Sequence, residues 1–96
     1  MQMANLVHMK VDPQEVRRYI IETFLFGQDD GLADDSSFLE KGILDSTGVL
    51  ELVAHLETAY RIKVNDDEFL PDNLDSIKAI CDFIGRKKIA VLPATA

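Results

Sequence analysis

The chain has 96 residues, 47% of them hydrophobic and 28% charged, which describes one small foldable domain and excludes a disordered polymer. A domain of this size has little interior to give to a large catalytic cavity. Its net charge of −7 is concentrated: residues 29–75 hold 13 acids and three bases, so the middle of the chain repels nucleic acid and anionic lipid and attracts basic protein surfaces.

The single cysteine, Cys81, excludes an intrachain disulfide and fits a reducing compartment. MQMANLVHMK lacks the apolar core of a signal peptide, and no stretch approaches the roughly 20 apolar residues of a membrane span. The expected location is therefore the cytoplasm, and the expected state a monomer without nucleic-acid partners.

Residues 1–11 read as a flexible leader. Asp12-Pro13 is a cap followed by a proline start, and Val16, Ile20 and Phe24 recur at helical spacing, with Tyr19, Ile21 and Leu25 widening the stripe. The first helix is expected over 13–26, ended by Gly27. A long connection, QDDGLADDSSFLEKGIL, follows. Asp30-Gly31 and Gly42 break it, and Phe38, Leu39, Ile43 and Leu44 are the expected anchors.

The second helix is expected over 46–61. Val49, Leu52, Val53, Leu56 and Tyr60 form its core face, and Thr47, Glu51, His55 and Thr58 lie opposite. Leu50 and Ala54 sit one turn apart and need not be buried. A short third helix is expected over 66–70, with Asn65 or Asp66 as cap and Pro71 as stop. Asp75 or Ser76 caps the last helix, SIKAICDFIGRKK, with Ile77, Ile80, Cys81 and Ile84 buried and Arg86, Lys87 and Lys88 at the negative end of the helix dipole. Residues 12–88 form the domain and 89–96 a tail. The fold class is all-α: a small four-helix bundle of three longer helices and a short third, with a long loop between the first two.

Catalysis finds no support in the spacing. A nucleophilic serine needs a base. His8 lies in the leader, and His55 lies nine residues after Ser46, beyond hydrogen-bond reach along one helix. His55 reads as an ordinary surface residue. DDGLADD has the acid density of a calcium loop without its register, and Cys81 with two distant histidines gives no zinc spacing. No catalytic residue and no metal site are assigned.

What remains is Ser46, exposed at a helix N-terminus after Asp45. The unpaired N–H groups and positive dipole there favour an attached phosphodiester. A helix cap is the plainer reading of the same residue. Asp45 either caps the helix or helps a modifying enzyme hold a metal ion.

These residues resemble the acyl carrier proteins, small acidic four-helix bundles whose serine at the start of the second helix bears 4′-phosphopantetheine. The resemblance covers 13–88. It rests on FLEKGILDS, LELVAHLETAY, IKVNDDEF and SIKAICDFI, and above all on G-I-L-D-S-x-x-V-L-E-L-V around Asp45-Ser46. It implies a covalent 4′-phosphopantetheine arm on Ser46, derived from coenzyme A, with Asp45 as motif partner. It implies a docking face at Thr47, Leu50, Glu51, Ala54 and Glu57. The plainer reading of Glu51 and Glu57 is helix solubility. A second Leu-Asp-Ser, residues 74–76, opens the last helix and reads as a cap.

The chain departs from the usual fatty-acid carrier at Thr47 and Gly48, which replace a leucine and an acid, and at Thr58 and Ala59. Gly48 is expected to remove a charge at little structural cost. The departures favour a specialised partner set, such as an adenylate-forming ligase or a dedicated pathway. The expected function is an acyl carrier in fatty-acid or specialised lipid and secondary-metabolite biosynthesis. Its partners would be a phosphopantetheinyl transferase, an acyl- or aminoacyl-activating ligase and downstream enzymes with basic patches. The alternatives are an aminoacyl or peptidyl carrier and, from a different class, an acidic helical interaction module with no prosthetic group, in which Ser46→Ala would lose stability.

Overall fold

A computed structural model describes residues 11–29 and 31–91, with side chains to residue 88. The leader (but for Val11), Asp30 and residues 92–96 of the tail lie outside the described residues. Four α-helices form the bundle: α1 (Pro13–Phe24), α2 (Ser46–Tyr60), α3 (Pro71–Leu74) and α4 (Ile77–Val91), with a 3₁₀ turn at Asp66–Glu68. Among the described residues there is no strand, and no helix is long and apolar enough to cross a membrane.

Local chemistry sets the helix ends. Asp12 Oδ1 accepts the Gln14 N–H at 2.9 Å, and Pro13 occupies the first turn, where its missing N–H is not needed. α1 ends at Phe24, two residues before the expected boundary. The Leu25 and Gly27 N–H groups both turn back to the Ile21 carbonyl, and Phe26 adopts a left-handed φ of 54°. α2 ends on Arg61, also left-handed, at φ 57°.

Pro71 begins α3 and does not stop a helix over 66–70. The acidic stretch makes only a single 3₁₀ turn, in which Asn65 N–H donates to Glu68 Oε1 at 2.9 Å. Proline suits a first helical position, so the residue read as a stop is also a start, and the helix lies after it instead of before.

The core is built from Val16 and Ile20 of α1, Leu52, Val53 and Leu56 of α2, and Ile77, Ile80, Phe83 and Ile84 of α4. The α4 stripe differs from the expected one. Phe83 is buried, whereas Cys81 is half-buried at its edge, and burial raises the Cys81 thiol pKa. In the loop Leu32 and Phe38 are buried with Leu44, but Leu39 is 53% exposed and does not anchor it.

The long α1–α2 connection is also held by polar contacts. Arg17 donates to the Leu32 carbonyl and the Asp34 carboxylate, and the Lys78 N–H at the start of α4 donates to the Asp34 carbonyl at 2.8 Å. Further on, the Phe38 N–H donates to the Asp75 carbonyl at 2.9 Å. The cations of α4 likewise reach other elements. Arg86 bonds Asn73 Oδ1, Lys87 bonds Glu68 Oε1 and Lys88 bonds the Tyr60 carbonyl, each at 2.8 Å. Lys88 lies in the last turn of α4, which continues to Val91, and Arg86 and Lys87 lie just before it.

Candidate functional site

Asp45, Ser46 and Gly48 divide the work at the start of α2. Asp45 is the N-cap: its backbone is extended, and its Oδ1 accepts the Gly48 N–H at 2.8 Å. Ser46 is therefore the first helical residue and not the cap. It is exposed, and among the described residues no hydrogen bond engages its hydroxyl. The cap and the free nucleophilic oxygen are adjacent residues with separate roles. An esterified Ser46 would keep the Asp45 bond, and the free N–H groups of the first turn point toward an anion there.

The second Leu-Asp-Ser has the opposite character. Ser76 Oγ accepts the Ala79 N–H at 3.0 Å, capping α4. The Asp75 carboxylate accepts the Leu39 N–H at 2.9 Å and the Ser37 hydroxyl. Both polar side chains of this triplet are committed to the fold. The same tripeptide thus opens two helices, with one hydroxyl free and the other engaged.

Gly48 is buried, and a Cβ there would lie 3.1 Å from Leu44 Cδ2, 3.4 Å from Asp45 Oδ1 and 3.5 Å from Phe24 Cε1. Only the Leu44 methyl, the end of a flexible side chain, would have to give by a few tenths of an ångström, and Phe24 would stay at ordinary contact distance. To the expectation that Gly48 removes a charge at little cost the structure adds a buried, closely packed position. The one clue in the sequence is a glycine inside a helical run, which costs helix stability and needs such a reason.

Beyond Ser46, Thr47, Glu51 and Ala54 are exposed, and Leu50 is 62% exposed despite its size. They share the outer face of α2. Glu57 stands apart from them: it is half-buried, and its Oε2 accepts the Val64 N–H at 2.9 Å, fixing the strand of chain that leaves α2. Beside Val49, an apolar pocket of about 170 Å³ is lined by Leu39, Leu44, Phe69, Leu70 and Leu74. His55 is not a plain surface residue. Its ring stacks on Tyr19 at 3.7 Å between centroids and 3° between planes, and burial lowers its pKa. Among the described residues no group of three or more His, Cys, Asp or Glu could hold a metal ion.

The family model described as "Phosphopantetheine attachment site" matches residues 14–84. The chain belongs to this family of phosphopantetheine-bearing carrier proteins. Its members hold 4′-phosphopantetheine covalently and are carriers, not catalysts. The carrier is also 34% identical, over 67 residues, to the D-alanyl carrier proteins of Streptococcus pyogenes serotype M5 (strain Manfredo), serotype M49 (strain NZ131) and serotype M1. The match spans 68% of this chain and 85% of each relative. The carrier is thus similar to specialised carriers, and a role in fatty-acid synthesis does not follow from its family.

Proposed function

We propose that Ser46 is the residue of this carrier that bears 4′-phosphopantetheine, with Asp45 holding the helix end beneath it. The observation that carries this reading is the free, exposed Ser46 hydroxyl beside a cap already supplied by Asp45. When bound, the group supplies a terminal thiol on which cargo is held as a thioester. The outer face of α2 then docks partner enzymes: Thr47, Leu50 and Ala54 offer contact surface, and Glu51 meets basic side chains. Glu57 contributes only through the oxygen not bonded to Val64. The partners are a phosphopantetheinyl transferase, an adenylate-forming ligase and a downstream acceptor enzyme. The working form is a cytoplasmic monomer.

For the cargo, a small aminoacyl group loaded by the ligase takes precedence over a fatty chain. Two observations support this order. The relatives are named as D-alanyl carriers, and the bundle centre is filled by Phe38, Phe83 and six buried aliphatic side chains. A short acyl group is the second reading, favoured by the apolar pocket beside Val49.

The test is intact mass before and after incubation with coenzyme A and a broad-specificity phosphopantetheinyl transferase, on wild type, Ser46→Ala and Ser76→Ala. One added phosphopantetheine on wild type and Ser76→Ala, and none on Ser46→Ala, is the expected result. Addition to Ser46→Ala but not to Ser76→Ala would move the arm to the other triplet. No addition to folded wild type by several transferases would favour the interaction module.

A further inference from the structure

The seam between α1 and α2 holds a groove of about 360 Å³ on the flank of α2 away from the apolar pocket. Its walls are the stacked rings of Tyr19 and His55, with Tyr60 and Ala59 continuing them along α2. Glu15 and Glu22 stand on its α1 edge, and Arg18 lies between them. Glu51, one helical turn before His55, acts on Tyr19 electrostatically, so the groove adjoins the outer face of α2.

The carboxylates here differ from the others that face cations. The ion pairs among the described residues are Arg17–Asp34, Lys78–Asp82 and Lys87–Glu68. Glu15, Glu22 and Glu51 are in none of them, and neither is Arg18. Among the described residues, Glu15 accepts the Tyr60 hydroxyl at 3.3 Å. The rings stay uncharged near neutral pH. Burial and Glu15 push Tyr60 up to about 12, burial and Glu51 raise Tyr19, and burial lowers His55. The lining carries two carboxylates and one guanidinium, that of Arg18, so a net negative charge sits beside a neutral aromatic wall, which attracts a further cation with a flat face. Guanidinium fits both parts, since it stacks on rings and donates to several oxygens, whereas ammonium is a compact, strongly hydrated charge.

We infer that the α1–α2 seam is a docking groove for an arginine side chain of a partner enzyme, seated against the Tyr19–His55 stack and held by Glu15 and Glu22. Only the identity of the partner rests on the carrier reading; the groove chemistry does not. Docking would then engage α1 as well as the outer face of α2.

The test uses the full chain and two probes, acetyl-arginine amide and acetyl-lysine amide, titrated at low salt while ring and backbone resonances are followed by NMR. Saturable shifts centred on Tyr19, His55 and Tyr60 are expected, with the arginine probe binding at least about threefold tighter than the lysine probe. The double variant Glu15→Gln/Glu22→Gln, whose sites are exposed, should weaken arginine binding about fivefold. Loss of the Glu15 charge from the first turn of α1 should lower the melting temperature by no more than a few degrees, so the variant stays folded during the titration. Shifts centred on Asp66–Glu68, equal affinity for both probes, or no effect of the double variant would overturn the proposal. The same samples go through the coenzyme A mass assay. Arm addition with no groove binding would reject this inference alone, and groove binding with no arm addition would reject the Ser46 proposal alone.

Discussion

Asp75 holds Leu39 across 36 residues: the Leu39 N–H donates to Asp75 Oδ1 at 2.9 Å, and the Ser37 hydroxyl donates to the other carboxylate oxygen. The contact ties the long loop that leads to Ser46 onto the corner between α3 and α4. Hydrogen bonds to an ionised acceptor contribute more than neutral ones, so Asp75→Ala is expected to cost about 2 kcal/mol. In a domain of this size that lowers the melting temperature by on the order of 10 °C. Thermal unfolding followed by circular dichroism checks it. The coenzyme A assay should still add one group to the variant below its melting range.

The two serines of the repeated tripeptide should respond oppositely to removal. Ser76→Ala loses the cap of α4 and should cost about 1 kcal/mol. Ser46→Ala removes an exposed hydroxyl that no hydrogen bond engages among the described residues, and should stay within about 0.5 kcal/mol of wild type. Asp45→Ala, the true cap of α2, should cost about 1 kcal/mol. Urea unfolding of the three variants in parallel decides the matter. A loss at Ser46→Ala equal to that at Asp45→Ala would return Ser46 to the role of cap.

Gly48 has no room for a large side chain. Gly48→Leu would push into Leu44 and Phe24 and is expected to destabilise by about 1–3 kcal/mol. Gly48→Ala should be milder. Its Cβ would meet the end of the flexible Leu44 side chain at 3.1 Å, and alanine gains helix propensity. If Gly48→Leu unfolds at the wild-type urea concentration, α1 does not pack on this turn as described.

Stability should fall with acid in two separate windows. The fold depresses the His55 pKa by burial, so the unfolded chain takes up a proton first and stability is lost as pH falls below 6.5. The Lys87 hydrogen bond and the Asn65 N–H depress the Glu68 pKa, so its contribution is present above 4.5 and lost as pH falls through the lower folded value. Melting temperature against pH should therefore flatten in the upper window for His55→Phe and in the lower one for Glu68→Gln. A wild-type curve level from pH 7 down to 5 would contradict the burial of His55.

Where periodicity governs, the sequence was readable. α1, α2 and α4 each repeat an apolar stripe every three to four residues, and the caps at Asp12 and Ser76 are local chemistry. The errors came from non-local contacts. Leu32 and Leu39 are both leucines in an irregular loop, and the bonds that hold them, from Arg17 and to Asp75, come from distant parts of the chain that local pattern does not reveal. Pro71 stops one element and starts the next, two roles that a single sequence position does not separate. Cys81 and Phe83 flank the Ile77–Ile80–Ile84 stripe on opposite sides of α4, and which flank is covered depends on which helices α4 meets. At the site, Asp45-Ser46 was legible as a pair, but which of the two caps the helix was not, because either side chain could reach the same N–H groups. The partner of His55 was hidden because Tyr19 lies on another helix.

The engagement of Gly48 by Asp45 has a thermodynamic corollary. Coupling between two events is reciprocal, so whatever an esterified phosphate gains at the positive end of α2 it returns to the folded state. On the proposed assignment, the armed form would unfold at a slightly higher temperature than the bare one, with the Asp45 cap kept in both. A loaded form would differ from the armed one only as far as its cargo touches the protein, so the fold would register the arm more than what the arm carries.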